Sequence, residues 1–223
     1  RGALLTDGSA ILGGKQEEYR GFSKLNDDGT ANTTFNTNAG LLGDDIYSVE
    51  AMDTYGNYII MGGNFGDGNI RKYDLNGNED TNFGSGVSGT FGTPTFNSID
   101  VIKIQSDGKI LVCGFFTTFN SVSNSNRIVR INSDGSEDND FYDNLGDGFN
   151  NEIWTIEVQS DGKILVGGDF SQLDGNARNS LVRLNEDGSE DTTFYTNLTS
   201  GVGGKVLATA TQTDDKILVG GFF

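Results

Sequence analysis

Gln159-Ser160-Asp161-Gly162-Lys163-Ile164-Leu165-Val166-Gly167-Gly168-Asp169-Phe170 decides the fold, because the chain repeats it. A near twin runs from Gln105 to Phe116, and a third copy from Gln212 to Phe223 has Asp214-Asp215 in place of Asp-Gly. Worn copies occupy residues 6–14 and 56–65. The equivalent isoleucines, Ile11, Ile59, Ile110, Ile164 and Ile217, stand 48, 51, 54 and 53 residues apart. A second motif alternates with the first: Arg183-Leu184-Asn185-Glu186-Asp187-Gly188-Ser189-Glu190-Asp191-Thr192-Thr193-Phe194 matches Arg130 to Phe141, with weaker versions at 24–35 and 72–83. Its closing phenylalanines, Phe35, Phe83, Phe141 and Phe194, repeat at 48, 58 and 53. Two independent markers thus define one period, and self-similarity at a fixed period is the signature of a repeat architecture.

Within one period, Ile153-Trp154-Thr155-Ile156-Glu157-Val158 alternates apolar and polar residues, which predicts a half-buried strand. Asp161-Gly162 predicts a tight hairpin turn, since glycine accepts the positive φ that such turns demand. Ile164-Leu165-Val166 continues as a more fully apolar strand. After a variable loop, Leu181-Val182-Arg183-Leu184 predicts a third strand; Asp187-Gly188 turns the chain again, and the segment through Phe194 is expected to be a short fourth. No window carries a sustained helical stripe. Four short antiparallel strands per period of ~50 residues make the blade of a β-propeller. The expected fold is therefore all-β, with four-stranded antiparallel blades, about four and a half of them. The units fall at about 1–42, 43–95, 96–147, 148–200 and a partial 201–223, within one propeller region spanning 1–223. The chain opens inside a first strand and stops before a fifth second motif, so it is expected to be part of a longer chain. Gly167-Gly168 and its equivalents are expected where a strand is crowded by its neighbours.

The paired motifs resemble the delta-sixty repeat, a β-propeller family whose hallmark reads like Gln159-x-Asp161-Gly162-Lys163-Ile164-Leu165-Val166-Gly167-Gly168-x-Phe170 followed by Arg183-Leu184-Asn185-x-Asp187-Gly188-Ser189-x-Asp191-x-x-Phe194. The resemblance covers essentially the whole chain. It implies the propeller architecture and an association with bacteriophage tail and fibre proteins or with large secreted or surface proteins of bacteria. The family carries no known catalytic residues to transfer.

Composition narrows the chemistry. Fifteen Lys and Arg against 32 Asp and Glu give a formal charge of −17. That balance excludes a surface that tracks phosphates, which would draw its affinity from Lys and Arg, so no nucleic-acid partner and no membrane insertion are expected. The absence of histidine removes the commonest general base and metal ligand. Cys113 has neither a disulfide partner nor a histidine to activate it, and Gly203-Gly204-Lys205 lacks the earlier glycine of a phosphate loop. Glycine, at 33 residues, is about twice its ordinary share, whereas proline occurs once. Frequent tight turns fit both counts.

Two sets of residues stand out as site candidates. Asn185, Asp187 and Asp191, with Asn132, Asp134 and Asp138, place oxygen atoms as partial calcium loops do; plain turn chemistry explains the same pattern, so no metal, cofactor or catalytic residue is expected. Trp154 and Tyr47 occupy equivalent first-strand positions, where Asp100 and Leu207 stand in other units. An aromatic there could stack on a sugar; packing on the strand is the plainer expectation. The variable loops 116–126 and 171–179 are the expected binding surfaces. The functional expectation is a non-catalytic structural module of a phage virion, in a tail or fibre-like appendage, contacting a host surface or neighbouring virion proteins. The alternative is a secreted or cell-surface bacterial adhesin that binds glycan or protein.

Overall fold

The computed structural model describes residues 2–14, 21–39, 46–65, 68–83, 91–92, 98–119, 122–123, 126–198 and 202–223. The unit boundaries expected at 42, 95 and 200 lie outside these residues. In unit four, Ile153–Val158 pairs with Ile164–Gly168, which pairs in turn with Leu181–Leu184. Unit three repeats this with Ser98–Ile104, Ile110–Phe115 and Ile128–Ile131. Unit two uses Ile46–Tyr55, Tyr58–Phe65 and Gly68–Asp74, and unit one Gly2–Leu4, Ala10–Gly14 and Gly21–Leu25. Unit five has two strands, Lys205–Thr211 and Ile217–Phe222. All these pairings are antiparallel.

The hairpin between the first two strands follows from Asp161-Gly162. Gly162 takes φ 83°, its N–H reaches Gln159 O at 3.0 Å, and Gln159 N reaches Lys163 O at 2.8 Å. Asp161 Oδ1 accepts from Lys163 N at 3.1 Å and fixes the turn from its side chain.

The fourth strand is not what the sequence pattern suggests. After the second Asp-Gly turn the pairing shrinks to one bridge per unit, Leu25 with Ala31, Tyr73 with Glu79, Ile131 with Glu137 and Leu184 with Glu190. In three units the chain then enters a short helix: α1 Thr33–Asn38, α2 Asn139–Leu145 and α3 Thr192–Leu198. The cause is a cap. Asn32 Oδ1 accepts from Phe35 N at 2.9 Å, Asp138 Oδ1 from Phe141 N at 3.4 Å, and Asp191 Oδ1 from Phe194 N at 3.1 Å. A side-chain oxygen that satisfies the first free N–H groups closes a helical turn, and it rolls the motif's phenylalanine inward. Phe35 and Phe141 are buried as a result.

The sheets stack in chain order with their first strands side by side: Ile46–Tyr55 beside Ser98–Ile104, that strand beside Ile153–Val158, and the last beside Lys205–Thr211. Alternation along the middle strands of units two and three feeds two cores at once. Ile110 and Val112 pack with Ala51 and Ile60 of unit two, whereas Leu111 and Cys113 pack with Ile153, Ile164 and Val166 of unit four. The middle strand of unit three therefore joins the sheets of units two and four. The Gly-Gly pair sits where this joint is tightest. A Cβ on Gly167 would lie 2.5 Å from Val206 Cγ1 of the next unit, and one on Gly168 would lie 2.1 Å from the Glu152 carbonyl oxygen.

Candidate functional site

The most repeated polar residues form the same network in units three and four. In unit three, Arg130 Nε donates to Asp138 Oδ2 at 2.9 Å, Arg130 NH1 to Gln105 Oε1 at 3.4 Å, and Lys109 Nζ lies 3.0 Å from Asp138 Oδ2. The Arg130 guanidinium also stacks on the Phe141 ring at 4.3 Å. Unit four repeats this atom for atom. Arg183 Nε reaches Asp191 Oδ2 at 3.0 Å and its NH1 reaches Gln159 Oε1 at 3.4 Å; Lys163 Nζ stands 3.1 Å from Asp191, and the guanidinium lies 4.4 Å from the Phe194 ring. Burial works against ionisation of Asp138, but the Lys109 hydrogen bond and the Arg130 charge outweigh it and hold the carboxyl below its usual value. Asp191 is lowered in the same way, burial again opposing, through Lys163, the Phe194 N–H and Arg183. Gln, Lys, Arg, Asp and Phe of the two motifs thus bind one another.

This geometry accounts for the six calcium candidates. Asp187 Oδ1 accepts from Ser189 Oγ at 2.6 Å and from Ser189 N at 3.0 Å, which lowers its pKa. Asp134 does the same with Ser136. Asn185 and Asn132 point their amide groups at Ser189 and Ser136, each at 3.0 Å. Asp191 and Asp138 cap helices and pair with cations. The structure spreads the six over separate turns, and no group of three or more metal-ligating side chains is gathered among the described residues.

Trp154 and its equivalents share a different property. The strand pairing slips between Val49 and Ala51, between Ile99 and Val101, between Ile153 and Thr155, and between Val206 and Ala208, and in unit two once more between Ile46 and Ser48. Asp100, Trp154 and Leu207 are therefore the extra residues of equivalent β-bulges, a device that takes a side chain out of the ladder and aims it elsewhere. Their counterpart in unit two is Glu50, because Val49 pairs with Gly63 as Ile153 pairs with Gly168. Tyr47 sits in a separate bulge three residues earlier, which corrects the expected equivalence of Tyr47 with Trp154. Trp154 is half-buried; its indole N–H donates to Glu152 Oε2 at 3.1 Å, and Lys205 Nζ of the next unit lies 5.2 Å from its ring. Lys205 also pairs with Asp169 at 2.7 Å. The Tyr47 side chain lies outside the described residues, as does part of loop 116–126. Glu152, Asp169 and Lys205 escape the sequence pattern because nothing at their positions repeats from unit to unit.

Loop 171–179 is held firmly. Gln172–Leu173 and Asn176–Ala177 form a small hairpin, Asn150 Oδ1 accepts from Ser171 N at 2.9 Å and Gln172 N at 3.0 Å, and the Phe149 and Phe170 rings meet at 4.6 Å. Arg178 grips Glu190 through Nε and NH2 and stacks on Tyr195 at 3.6 Å.

Comparison with known proteins now decides the architecture. Residues 105–141 and 159–194 match a β-propeller domain of unknown function, DUF5122. Among solved structures, the chain resembles the extracellular domain of a protein described as a hybrid two-component system from B. thetaiotaomicron, at 10% identity and a TM-score of 0.57, covering 99% of this chain and 25% of that one. It resembles PorZ, a bacterial surface component of the type-IX secretion system of Porphyromonas gingivalis, at 13% identity and 0.56, covering 97% and 30%. The computationally designed protein Ika8 aligns at 11% identity and 0.54, covering 96% and 56%. The fold is a β-propeller. The chain spans a quarter to little more than half the length of these structures. No curated protein matches it in sequence.

The propeller has two unlike ends. Antiparallel pairing puts both Asp-Gly turns of a unit, around Gly162 and Gly188, at one end. The bulges, the linkers between units and the loops joining second to third strands lie at the other, where Asp169 N donates to Glu152 O and Phe149 bridges Leu173. One end is acidic and repetitive; the other differs from unit to unit. At the acidic end, an open polar groove of about 310 Å³ runs between units three and four, lined by Lys109, Arg130, Asp138, Asp140, Glu186 and Asp187. Cys113 is fully buried in the core, and burial, with the Asp100 charge, raises its thiol pKa well above the ordinary value. The described helices include none long and apolar enough to cross a membrane.

Proposed function

We propose that this propeller is a non-catalytic recognition scaffold of a secreted or cell-surface bacterial protein, and that it engages a glycan or protein through its variable end. The observation that carries the reading is the division of labour between the two ends. In units three and four the repeated Lys, Arg and Asp of the motifs are bound to one another, which supports reading the acidic end as scaffold. Variation gathers at the four bulges and the clamped loops, and recognition is carried by loops on a rigid frame. The loop 171–179 hairpin is already ordered by Asn150 and Phe149, so binding would cost little ordering entropy. What supports the cell-surface setting over a phage tail or fibre is the setting of similar propellers, an extracellular domain of B. thetaiotaomicron and a surface component of Porphyromonas gingivalis.

The test is a glycan array and a surface-protein pull-down with the chain and two variants, Trp154→Ala at the variable end and Asp161→Ala at the acidic end. Binding that drops with Trp154→Ala and survives Asp161→Ala supports the reading. Binding lost only with Asp161→Ala overturns it. Labelling of intact bacteria against purified virions with an antibody to the chain separates the two settings.

A further inference from the structure

At the variable end, where units three and four meet, one residue holds a conformation that units one and four give to small residues. Gly21, Arg127 and Ser180 each stand three residues before the basic residue of a third strand, Lys24, Arg130 and Arg183. All three have positive φ, at 109°, 72° and 60°. The backbone is the same in units three and four. Arg127 N donates to Phe116 O at 2.9 Å and Gly114 N to Arg127 O at 3.0 Å, as Ser180 N does to Phe170 O and Gly168 N to Ser180 O, both at 3.0 Å. Glycine takes this turn without strain, and a long side chain there costs conformational energy. Unit three nevertheless places an arginine in it.

The scaffold does not absorb this arginine. Its guanidinium stacks on the Phe115 ring at 4.3 Å, and NH1 donates to Phe116 O at 3.2 Å. That is its one side-chain hydrogen bond among the described residues, with Nε buried and unpartnered. Arg130, Arg178 and Arg183 each pair with a carboxylate, and among the described residues Arg127 does not. Burial lowers the Arg127 pKa, while the Glu152 carboxylate of unit four acts in the opposite direction and favours the charged form. Glu152 Oε2 in turn accepts the Trp154 indole N–H at 3.1 Å. Phe115, Arg127, Glu152 and Trp154 are all half-buried, so a guanidinium fork, a carboxylate and an indole stand together at the rim.

We propose that Arg127, Glu152 and Trp154 form a subsite for an acidic sugar, with its carboxylate on the Arg127 guanidinium, a hydroxyl on Glu152 and its ring face along Trp154. The inference rests on the reading that the variable end binds the target, and it names the chemical class. A planar guanidinium takes a carboxylate through two parallel hydrogen bonds, and the stack on Phe115 holds the fork before the ligand arrives. Against a net charge of −17, Arg127 is a local exception that selects where an anion docks. Glu152 supplies the second criterion. One of its oxygens accepts from the indole and the other accepts a sugar hydroxyl, while its charge disfavours a ligand that is anionic throughout, such as a phosphate.

The probe is a microarray of uronic-acid and sialic-acid oligosaccharides printed beside their carboxyl methyl esters, read with the labelled intact chain and followed by calorimetric titration of the best binder. Saturable binding of an acidic sugar is expected, weakened at least roughly tenfold by esterification. The array distinguishes a uronic acid from a sialic acid. Arg127→Gly, which installs the residue unit one carries there, is expected to keep the parent's circular dichroism and to bind at least roughly tenfold more weakly. Arg127→Lys is expected to bind roughly three- to tenfold more weakly, since an ammonium cannot fork. Equal binding of acid and ester overturns the proposal, and so does an array with no acidic binder. An Arg127→Gly chain that melts lower yet binds the acid unchanged also overturns it, because Arg127 is then scaffold. Neutral glycans bound through Trp154 overturn the acidic-sugar assignment alone and leave the variable end as the binding face; binding that depends only on Asp161 overturns both.

Discussion

Lys163–Phe170 and Lys216–Phe223 differ at one position, Asp169 against Phe222, yet they live in different surroundings. Leu165 is 0% exposed and Leu218 is 54%; Phe170 is 1% exposed and Phe223 is 65%. Gly167 has no room for a Cβ, whereas one on Gly220 would meet nothing within 4 Å. The same residues form the same strand in both places, so local sequence determines the strand. Burial is determined by the next unit. In a repeat array most of a unit's stability comes from its interfaces rather than from its own sheet, and among the described residues unit five packs against unit four alone.

The sharpest way to break this comparison is to truncate the two leucines. Leu165→Ala is expected to destabilise by about 2–5 kcal/mol, since a fully buried leucine leaves a cavity. Leu218→Ala should cost under about 0.5 kcal/mol, as exposed substitutions do. Urea unfolding of both variants checks this; equal losses would mean that unit five is covered in solution.

The ion networks come next. Asp138→Asn leaves the nearly buried Arg130 without its charge partner and should cost about 2–4 kcal/mol. Asp191→Asn, beside the more exposed Arg183, should cost about 1–2 kcal/mol after solvent screening. Thermal melts that reverse this order would show that burial of the cation does not govern the pair.

Glycine gives a smaller, cleaner contrast. Gly167→Ala presses on Val206 and should destabilise by about 1–3 kcal/mol, while Gly220→Ala should be neutral or stabilising by up to about 1 kcal/mol through the unfolded chain. A destabilised Gly220→Ala chain would argue for a neighbour on that face.

The smallest expected effect is in acid. Asp138 and Asp191 have folded pKa values below the ordinary carboxylate, so the unfolded chain takes up their protons more readily. Their contribution is complete above about pH 4 and drains away as pH falls through the lowered folded values. Between about pH 5 and pH 2 the Asp138→Asn chain should therefore lose less stability than the parent. Parallel decline of the two chains would assign the acid sensitivity to other carboxylates.

Much of this fold was legible before any coordinate. The period, the three main strands of units three and four and their Asp-Gly turns follow from alternation and turn chemistry alone. The fourth strand was not. Thr192, Thr193, Phe194 and Tyr195 favour extended chain, and a helix of seven residues is too short to show a 3.6-residue stripe. The readable signal was the Asp or Asn standing three residues before each phenylalanine, an N-cap spacing. The equivalence of Asp100, Trp154 and Leu207 was visible as variation, but the bulge that explains it depends on cross-strand register, which no single strand encodes. For the same reason the pattern pointed to Tyr47 where the register puts Glu50. Likewise Arg183, Asp191 and Gln159 are visible as a motif, while their meeting at one point needs the fold.

Because Lys24, Lys72 and Arg130 each donate from a third strand to a carbonyl in the next unit's second turn, units one to three each carry a plug that fits a socket in the unit after them. A segment duplicated in frame brings both halves of the joint with it. Chains of this kind can lengthen or shorten by whole units during evolution without a new interface being invented, while each added unit contributes one more bulge and one more loop to the variable end.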